Sequence, residues 1–315
     1  MVNKPKILIT GGNGFLGSHL VKHLSQNNSI YSLDISDNLR SYYFIEKLDK
    51  ISEFIKADVK KYEKLKLIIN KIKPVYIIHL AAKTLVEDSY KDPLTTFETN
   101  IMGTVNILET SRNSKFIKGI VIASSDKAYG KLNIGKYKEN HPLKGDHPYE
   151  VSKSSADLIA QSYFKTYHLP VVVTRSANIY GGGDLNFSRI IPGIMKALIQ
   201  NTTLNIRSDG KFIRNYIYVE DVVNGYMNIL DNFNKIKGET FNFASKDTFS
   251  VIQLISIIEK ALDKKIKYKI LNYEKNEIPY QSLNFKKAKK FLNWKPNNLL
   301  KKAGKNTFLW YQNNL

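Results

Sequence analysis

The chain has 315 residues, enough to bury a substantial core and to hold one large or two coupled domains. It contains no cysteine, which excludes disulfides, thiolate metal sites and a cysteine nucleophile. The formal charge of +20 invites a nucleic-acid reading, but the lysines are spread along the chain and only six of the 48 basic residues are arginines, so a solvated surface is the better account.

No stretch reaches the length of a membrane span. Residues Met1 to Lys6 lead straight into the first apolar run, so no signal peptide is expected and the expected location is the cytoplasm.

Residues 6–10, Lys-Ile-Leu-Ile-Thr, read as a short buried strand. Gly11, Gly12, Gly14 and Gly17 follow, and 18–24 has helical spacing. Strand, glycine turn and helix form the context of a phosphate-binding loop. Gly11 permits the tight turn, Gly14 lets the backbone approach a pyrophosphate at the helix N-terminus, and Gly17 lets helix and strand pack closely. The next strand, 29–33, ends at Asp34. An acid at this distance from the loop suits the two ribose hydroxyls of NAD and repels the 2′-phosphate of NADP. Arg40 lies nearby. A plain turn has no need of Asp34, so loop, context and acid together predict a dinucleotide site.

A short strand near 54–57 leads to Asp58 and Val59. Residues 62–73 read as a helix that stops at Pro74. Residues 75–80 form a buried strand ending in Ala81 and Ala82. The spacing predicts one long helix over 93–113, a strand over 119–123 leading to Ser124 and Ser125, a helix over 149–168 and a strand over 171–174. This alternation predicts an α/β fold, a doubly wound parallel sheet of the Rossmann type. Ligands of such sheets lie beyond the carboxyl ends of the strands, where the glycine loop, Asp34, Ala81, Ala82 and Ser124–Lys127 fall.

The remainder is less regular. Gly181–Gly183 reads as a hinge. Helices are expected at 188–201, 220–232, 250–262 and 284–292, with a turn at 235–238 before a strand at 240–244. The expected organisation is a Rossmann domain over 1–180, with a return segment about 216–244, and a smaller C-terminal α/β substrate lobe over 181–315.

Tyr149 precedes Lys153 by one helical turn, which puts both side chains on one face. The ammonium can depress the phenol pKa, so that the tyrosine takes a proton from a sugar hydroxyl near neutral pH. Alone the pair is weak in a chain with 19 tyrosines. Beside a bound nicotinamide it becomes a base next to a hydride acceptor. Asp126 and Lys127 offer a second proton transfer, which points to redox chemistry with an elimination attached; the bland alternative is an ion pair within a turn. Arg189, Arg207 and Arg214 fall within 26 residues. A guanidinium fork binds phosphate oxygens at two points, so a diphosphate lying across the lobes and ordinary surface ion pairs both remain open.

Assembled, these residues resemble the extended short-chain dehydrogenase/reductases that act on nucleotide sugars. The likeness runs through Thr10–Gly17, His79–Ala82, Thr99–Thr104, Ser124-Ser125, Tyr149 with Lys153, Arg175–Gly181, Arg214–Asp221 and Phe291–Pro296. Within that family, Ser125-Asp126-Lys127, Asp184–Pro192 and Ile206–Gly210 are most similar to the CDP-glucose 4,6-dehydratase branch, for which segment 131–146 is brief. The resemblance implies catalysis by Ser125, Asp126, Lys127, Tyr149 and Lys153. It implies NAD held by Gly11, Asn13, Gly14, Phe15, Leu16, Gly17, Asp34, Asp58, Val59, Leu80, Ala81, Ala82, Asn100, Ser124, Tyr149 and Lys153. A nucleotide-diphosphate sugar would meet Asn178, Asn186, Arg189, Arg207 and Arg214, with no metal, no nucleic acid and no membrane. A homodimer pairing the 93–113 and 149–168 helices across a two-fold axis is implied. The runner-up activity is a nucleotide-sugar 4-epimerase, which needs Tyr149 and NAD but neither Asp126 nor Lys127. A non-catalytic NAD-binding regulator is a further alternative, against which the intact Ser-Tyr-Lys set argues.

Overall fold

The structure is a computed structural model and describes residues 4–131, 135–273 and 278–315. Residues 1–3, part of the expected signal-free start, and 132–134, within the brief 131–146 segment, lie outside the described residues.

The first apolar run forms β1 (Lys6–Thr10), buried from Ile7 onward. Apolar side chains on both faces suit a strand covered on both sides. α1 (Phe15–Leu24), β2 (Ser29–Asp34), a short α2 (Tyr42–Ile45), β3 (Glu53–Lys56), α3 (Tyr62–Ile72) and β4 (Tyr76–His79) follow. α3 buries Leu65, Ile69 and Ile72 along one stripe, and Lys73 in the left-handed conformation ends it before Pro74. After α4 (Val86–Lys91), the helix expected over 93–113 is interrupted. It consists of α5 (Pro93–Phe97), a π-helical turn (Glu98–Met102) and α6 (Gly103–Arg112). Such π turns recur at functional sites, and this one carries the buried Asn100.

β5 (Gly119–Ala123), α7 (Pro148–Tyr167) and β6 (Val171–Ser176) come next. The chain continues through β7 (Asn178–Tyr180), α8 (Ile190–Gln200), β8 (Leu204–Ile206), β9 (Ile213–Tyr218), α9 (Val219–Asn232) and β10 (Thr240–Phe243). It ends with β11 (Thr248–Ser250), α10 (Val251–Leu262), β12 (Tyr268–Ile270), α11 (Lys286–Leu292) and α12 (Leu300–Asn314).

Among the described residues, seven strands form one sheet in the order β10-β6-β5-β4-β1-β2-β3, and the registers from β6 to β3 are parallel. β1 lies between β2 and β4, the point where the winding reverses and where such sheets bind ligands. Thr10 is in register with both Leu33 and His79. The glycine loop, Asp34 and Leu80 therefore leave the sheet at one level. Leu8, Leu33, Ile77 and Ile120 of the strands pack with Leu65, Ile69, Ile107 and Leu108 of the helices.

The chain divides into two compact units. One holds Met1–Gly130, Glu139–Arg175 and Tyr226–Phe241; the other holds Lys131–Lys138, Ser176–Gly225 and Asn242–Leu315. In the second unit β11 pairs antiparallel with β9, β9 parallel with β7, and β12 parallel with β8. These short strands and α12 have no clear periodic signal in the sequence. They are held by a second core of Tyr180, Ile194, Met195, Leu254, Phe308 and Tyr311. In the glycine run read as a hinge, Gly182 lies against α12, where an added Cβ would come 2.5 Å from the Trp310 ring.

Candidate active site

The glycine loop is shaped by close backbone approach. Gly11 has φ +71°, and a Cβ there would come 2.8 Å from the Ala81 nitrogen; one on Gly17 would come 2.1 Å from the Gly11 oxygen. Only glycine fits such positions. Gly14 is the N-cap of α1 and brings no side-chain acceptor to the first turn at Phe15, Leu16 and Gly17. Backbone N–H groups at that helix end suit an anion. Asp34 lies at the end of β2. Its Oδ2 accepts from Asn13 N (3.2 Å) and its Oδ1 from Ile35 N (2.8 Å). Burial pushes the Asp34 carboxyl up, against the opposing pull of the N–H groups of Ile35, Asn13 and Ser36. The Asn13 side chain braces the following loop: Nδ2 donates to Ser36 O (3.0 Å) and Oδ1 accepts from Ser41 Oγ. Asp58 Oδ1 accepts from Lys60 N (2.9 Å), and Val59 O accepts from Asn106 Nδ2 (2.9 Å).

A buried polar chain joins β1, β4 and α6. Thr104 Oγ1 donates to Asn100 O (2.7 Å) and so accepts from His79 Nε2 (3.2 Å). His79 Nδ1 is then the acceptor for Thr10 Oγ1 (2.7 Å), which in turn accepts from Ala81 N (3.4 Å). Burial, with the nearby Lys153 charge, pushes His79 down to about 3, so the ring stays neutral. Leu80 N donates to Thr10 O (3.0 Å). The Asn100 amide spans two segments. Its Oδ1 accepts from Lys83 N (2.7 Å), and its Nδ2 donates to Lys83 O (3.0 Å) and to Ser152 Oγ (2.9 Å). It thereby ties the segment after Ala81-Ala82 to α7.

α7 starts with Pro148 at its first position, which pre-sets the helical φ. Tyr149 and Lys153 are both buried in it. Lys153 Nζ donates to Ala123 O (2.8 Å), at the end of β5. Burial pushes its ammonium down to about 8, against the opposing pull of Asp157. Ser124 Oγ donates to Lys153 O (3.4 Å). Ser125 Oγ donates to Asp126 Oδ1 (3.1 Å) and accepts from Lys127 N (3.2 Å), which caps the short 3₁₀ turn Asp126–Tyr129. Lys127 Nζ lies 3.7 Å from Asp126 Oδ1. Asp126 Oδ2 is buried and has no hydrogen-bond partner. That oxygen is open to a hydrogen bond from a ligand or a water. The structure thus brings Ser124, Ser125, Asp126, Lys127 and Lys153 together at the end of β5.

In the second unit, Arg189 NH1 donates to the buried Asp184 Oδ2 (2.9 Å). Asp184 Oδ1 accepts from Asn186 N (3.2 Å), and Asn186 Oδ1 accepts from Ser188 Oγ (2.6 Å). Arg207 NH2 donates to Ser188 O (3.4 Å). Asn186 and Arg189 therefore share the loop before α8, and Arg207, just after β8, reaches it through Ser188. Arg214 and Asn178 are on β9 and β7; Arg214 NH1 donates to Ile213 O (3.0 Å) and Asn178 Nδ2 to Asn215 O (3.2 Å). The sequence motifs include Thr10, Thr104, Ser152 and Asp184 but give them no role; His79, the partner of Thr10, and Asn100, the partner of Ser152, are 69 and 52 residues away. Arg175 likewise heads one motif without a role, although the scarcity of arginine was a signal that could have found one.

The model of the family described as GDP-mannose 4,6 dehydratase matches residues 8–307. A dTDP-D-glucose 4,6-dehydratase of Dictyostelium discoideum is 31% identical, over 98% of this chain and 82% of that protein. A CDP-glucose 4,6-dehydratase of Salmonella typhimurium is 30% identical, over 92% of this chain and 86% of that protein. The crystal structure of a UDP-glucuronic acid 4-epimerase from Bacillus cereus, in complex with UDP-glucuronic acid and NAD, is similar with a TM-score of 0.89 at 26% identity, covering 98% of this chain and 100% of that one.

Proposed function

Since the chain belongs to the GDP-mannose 4,6 dehydratase family of extended short-chain dehydrogenase/reductases, we propose that it is an NAD-dependent nucleotide-sugar 4,6-dehydratase that takes a CDP-glucose-like substrate to its 4-keto-6-deoxy product. The observation that carries this reading is the buried, unpartnered Asp126 Oδ2 beside Lys127, on a turn capped by Ser125. An epimerase has no use for an acid and a base at that place.

NAD fits the first unit. The glycines let the loop backbone pack closely against β1 and the segment after β4, which leaves the N–H groups at the start of α1 for a pyrophosphate, and the Asp34 carboxylate has acceptor capacity beyond its backbone N–H partners for a ribose hydroxyl. When bound, it supplies a hydride acceptor at sugar carbon 4 and a hydride donor at carbon 6. Tyr149 takes the proton of the carbon-4 hydroxyl, and Ser125 Oγ hydrogen-bonds the same oxygen. The ketone acidifies carbon 5, whose proton passes to Lys127 Nζ. Asp126 Oδ2 protonates the carbon-6 hydroxyl, which departs as water, and Lys127 returns its proton to carbon 5. The proton taken up by Tyr149 and the one given up by Asp126 are exchanged through solvent, so one water is lost per cycle and both residues and the cofactor are restored. Asn178, Asn186, Arg189, Arg207 and Arg214 are proposed to hold the nucleotide diphosphate. The proposal includes a homodimer and a cytoplasmic location; no described helix is long and apolar enough to cross a membrane.

A 4-epimerase is the second reading, favoured by the full-length similarity to the Bacillus cereus epimerase. Incubation with a panel of nucleotide sugars, read by mass spectrometry, separates the two. Loss of one water identifies a dehydratase; unchanged mass with altered stereochemistry identifies an epimerase. Asp126→Asn should cut water loss by ~10²–10⁴-fold, the range for one general acid. If Asp126→Asn leaves turnover intact while Tyr149→Phe abolishes it, the epimerase reading replaces the dehydratase.

A further inference from the structure

A buried arginine stands behind the two catalytic segments of the first unit. Arg175, on β6, is 2% exposed and Asp157, on α7, is 0% exposed. Arg175 Nε and NH2 donate to the two carboxylate oxygens of Asp157 at 2.7 and 3.0 Å. Its NH1 donates to Tyr129 Oη (2.8 Å) and to Glu139 O (3.1 Å). Its guanidinium carbon lies 4.7 Å from the centroid of the Tyr129 ring. Asp157 is one helical turn beyond Lys153. Tyr129 ends the 3₁₀ turn that begins with Asp126. One side chain therefore joins the helix of Tyr149 and Lys153 to the turn of Asp126 and Lys127. A second tie runs parallel to it, from Ser154 Oγ to Ala128 O (2.8 Å).

Stability is a poor explanation for this unit. A buried ion pair replaced by apolar groups of similar volume often leaves stability unchanged or improves it. What apolar packing cannot supply is direction. The guanidinium is planar, and its donors fix both the carboxylate and the phenol relative to one plane. We infer that Arg175 and Tyr129 are positioning residues that hold the Asp126-Lys127 turn in register with the Tyr149-Lys153 helix, so that the proton transfers of the elimination and those of the oxidation meet the same sugar. Neither residue touches the reacting atoms in this scheme.

The inference rests on the dehydratase reading, and it makes the two half-reactions separable. Tyr129→Phe keeps the ring over the guanidinium and deletes only the phenol bond. Arg175→Lys keeps the charge but cannot hold carboxylate and phenol together. Purified protein with its bound cofactor is mixed with CDP-glucose in a single turnover. Oxidation is read from the near-ultraviolet absorbance of the reduced nicotinamide, and water loss from the product mass. A misplacement of about 1 Å can cost on the order of 10²-fold. In both variants oxidation should stay within about threefold of wild type while water loss slows ~10- to 100-fold, so the reduced cofactor accumulates. Amide hydrogen exchange should quicken at Ala128–Gly130 and remain slow along the middle of α7, a change that depends on no turnover. The double variant Arg175→Met with Asp157→Leu should fold, and should show the same imbalance. Equal slowing of both half-reactions, unchanged ratios in Tyr129→Phe, or a double variant with the wild-type ratio would overturn the inference. A wild-type protein that converts nucleotide sugars without losing water would instead remove the dehydratase reading, and this inference with it.

Discussion

Replacing Lys153 by methionine should separate the energetic cost of this residue from its use. Burial takes the ammonium from 10.5 down to about 8. At about 1.4 kcal/mol for each pH unit, the charged form costs the folded state ~3 kcal/mol. Methionine removes that cost. It also removes the bond from Nζ to Ala123 O, a loss of ~1–3 kcal/mol for a hydrogen bond with a charged donor. At pH 7 the two nearly offset each other, so Lys153→Met should lie within ~2 kcal/mol of wild type. The pH dependence does not contain the hydrogen-bond uncertainty. Between about 8 and 10.5 the unfolded lysine binds a proton that the folded one has released. Wild-type stability from this group therefore rises with pH across that window, while the variant has no such group. The difference should be constant below about 8 and then move by ~3 kcal/mol in favour of wild type by pH 10.5. Urea unfolding of both proteins at equal cofactor content, at half-unit steps from pH 7 upward, measures it. The other lysines titrate in both proteins and cancel. A difference that stays flat, or moves in favour of methionine, would refute the argument that burial dominates at Lys153. The same variant should lose carbon-4 oxidation even where it is as stable as wild type.

Asp34→Asn removes the charge that repels a 2′-phosphate, so the released cofactor should shift from NAD toward NADP; recovery of NADP alone from wild type would refute the role given to Asp34. Arg214→Ala should raise KM by ~10-fold or more with little change in kcat, because a charge-assisted bond worth roughly 1.5–3 kcal/mol is shared by ground and transition states; steady-state kinetics with the best nucleotide sugar decides it, and an unchanged KM places the guanidinium elsewhere. Leu94, Met102 and Leu158 are exposed on α5, the π turn and α7; a second copy should cover them, so wild type should sediment as a dimer at micromolar concentration and Leu158→Glu with Met102→Glu as a monomer. A monomeric wild type would contradict the expected assembly.

The sequence by itself determined the elements whose cause is local. The glycine loop is legible because close backbone approach excludes every other residue at Gly11 and Gly17. β1, β4 and β5 are legible as short uninterrupted apolar runs bounded by turn or capping residues, and α7 by its helical spacing. Asp126 and Lys127 stand beside Ser125 in the chain, so their proximity needed no fold. Tertiary structure decided the rest. The spacing over 93–113 is helical throughout, and nothing in it marks the π turn; that turn sets Asn100 against Lys83 and Ser152, 17 and 52 residues away. The short strands β7, β8 and β12 have too few residues to show a period, and they exist because neighbours pair with them. Arginine scarcity drew attention to Arg189, Arg207 and Arg214, yet the most thoroughly bonded arginine of the first unit is Arg175. Its partners Asp157 and Tyr129 are 18 and 46 residues away. A buried charge is acceptable only where the fold brings such partners to it, and no window of sequence contains them all.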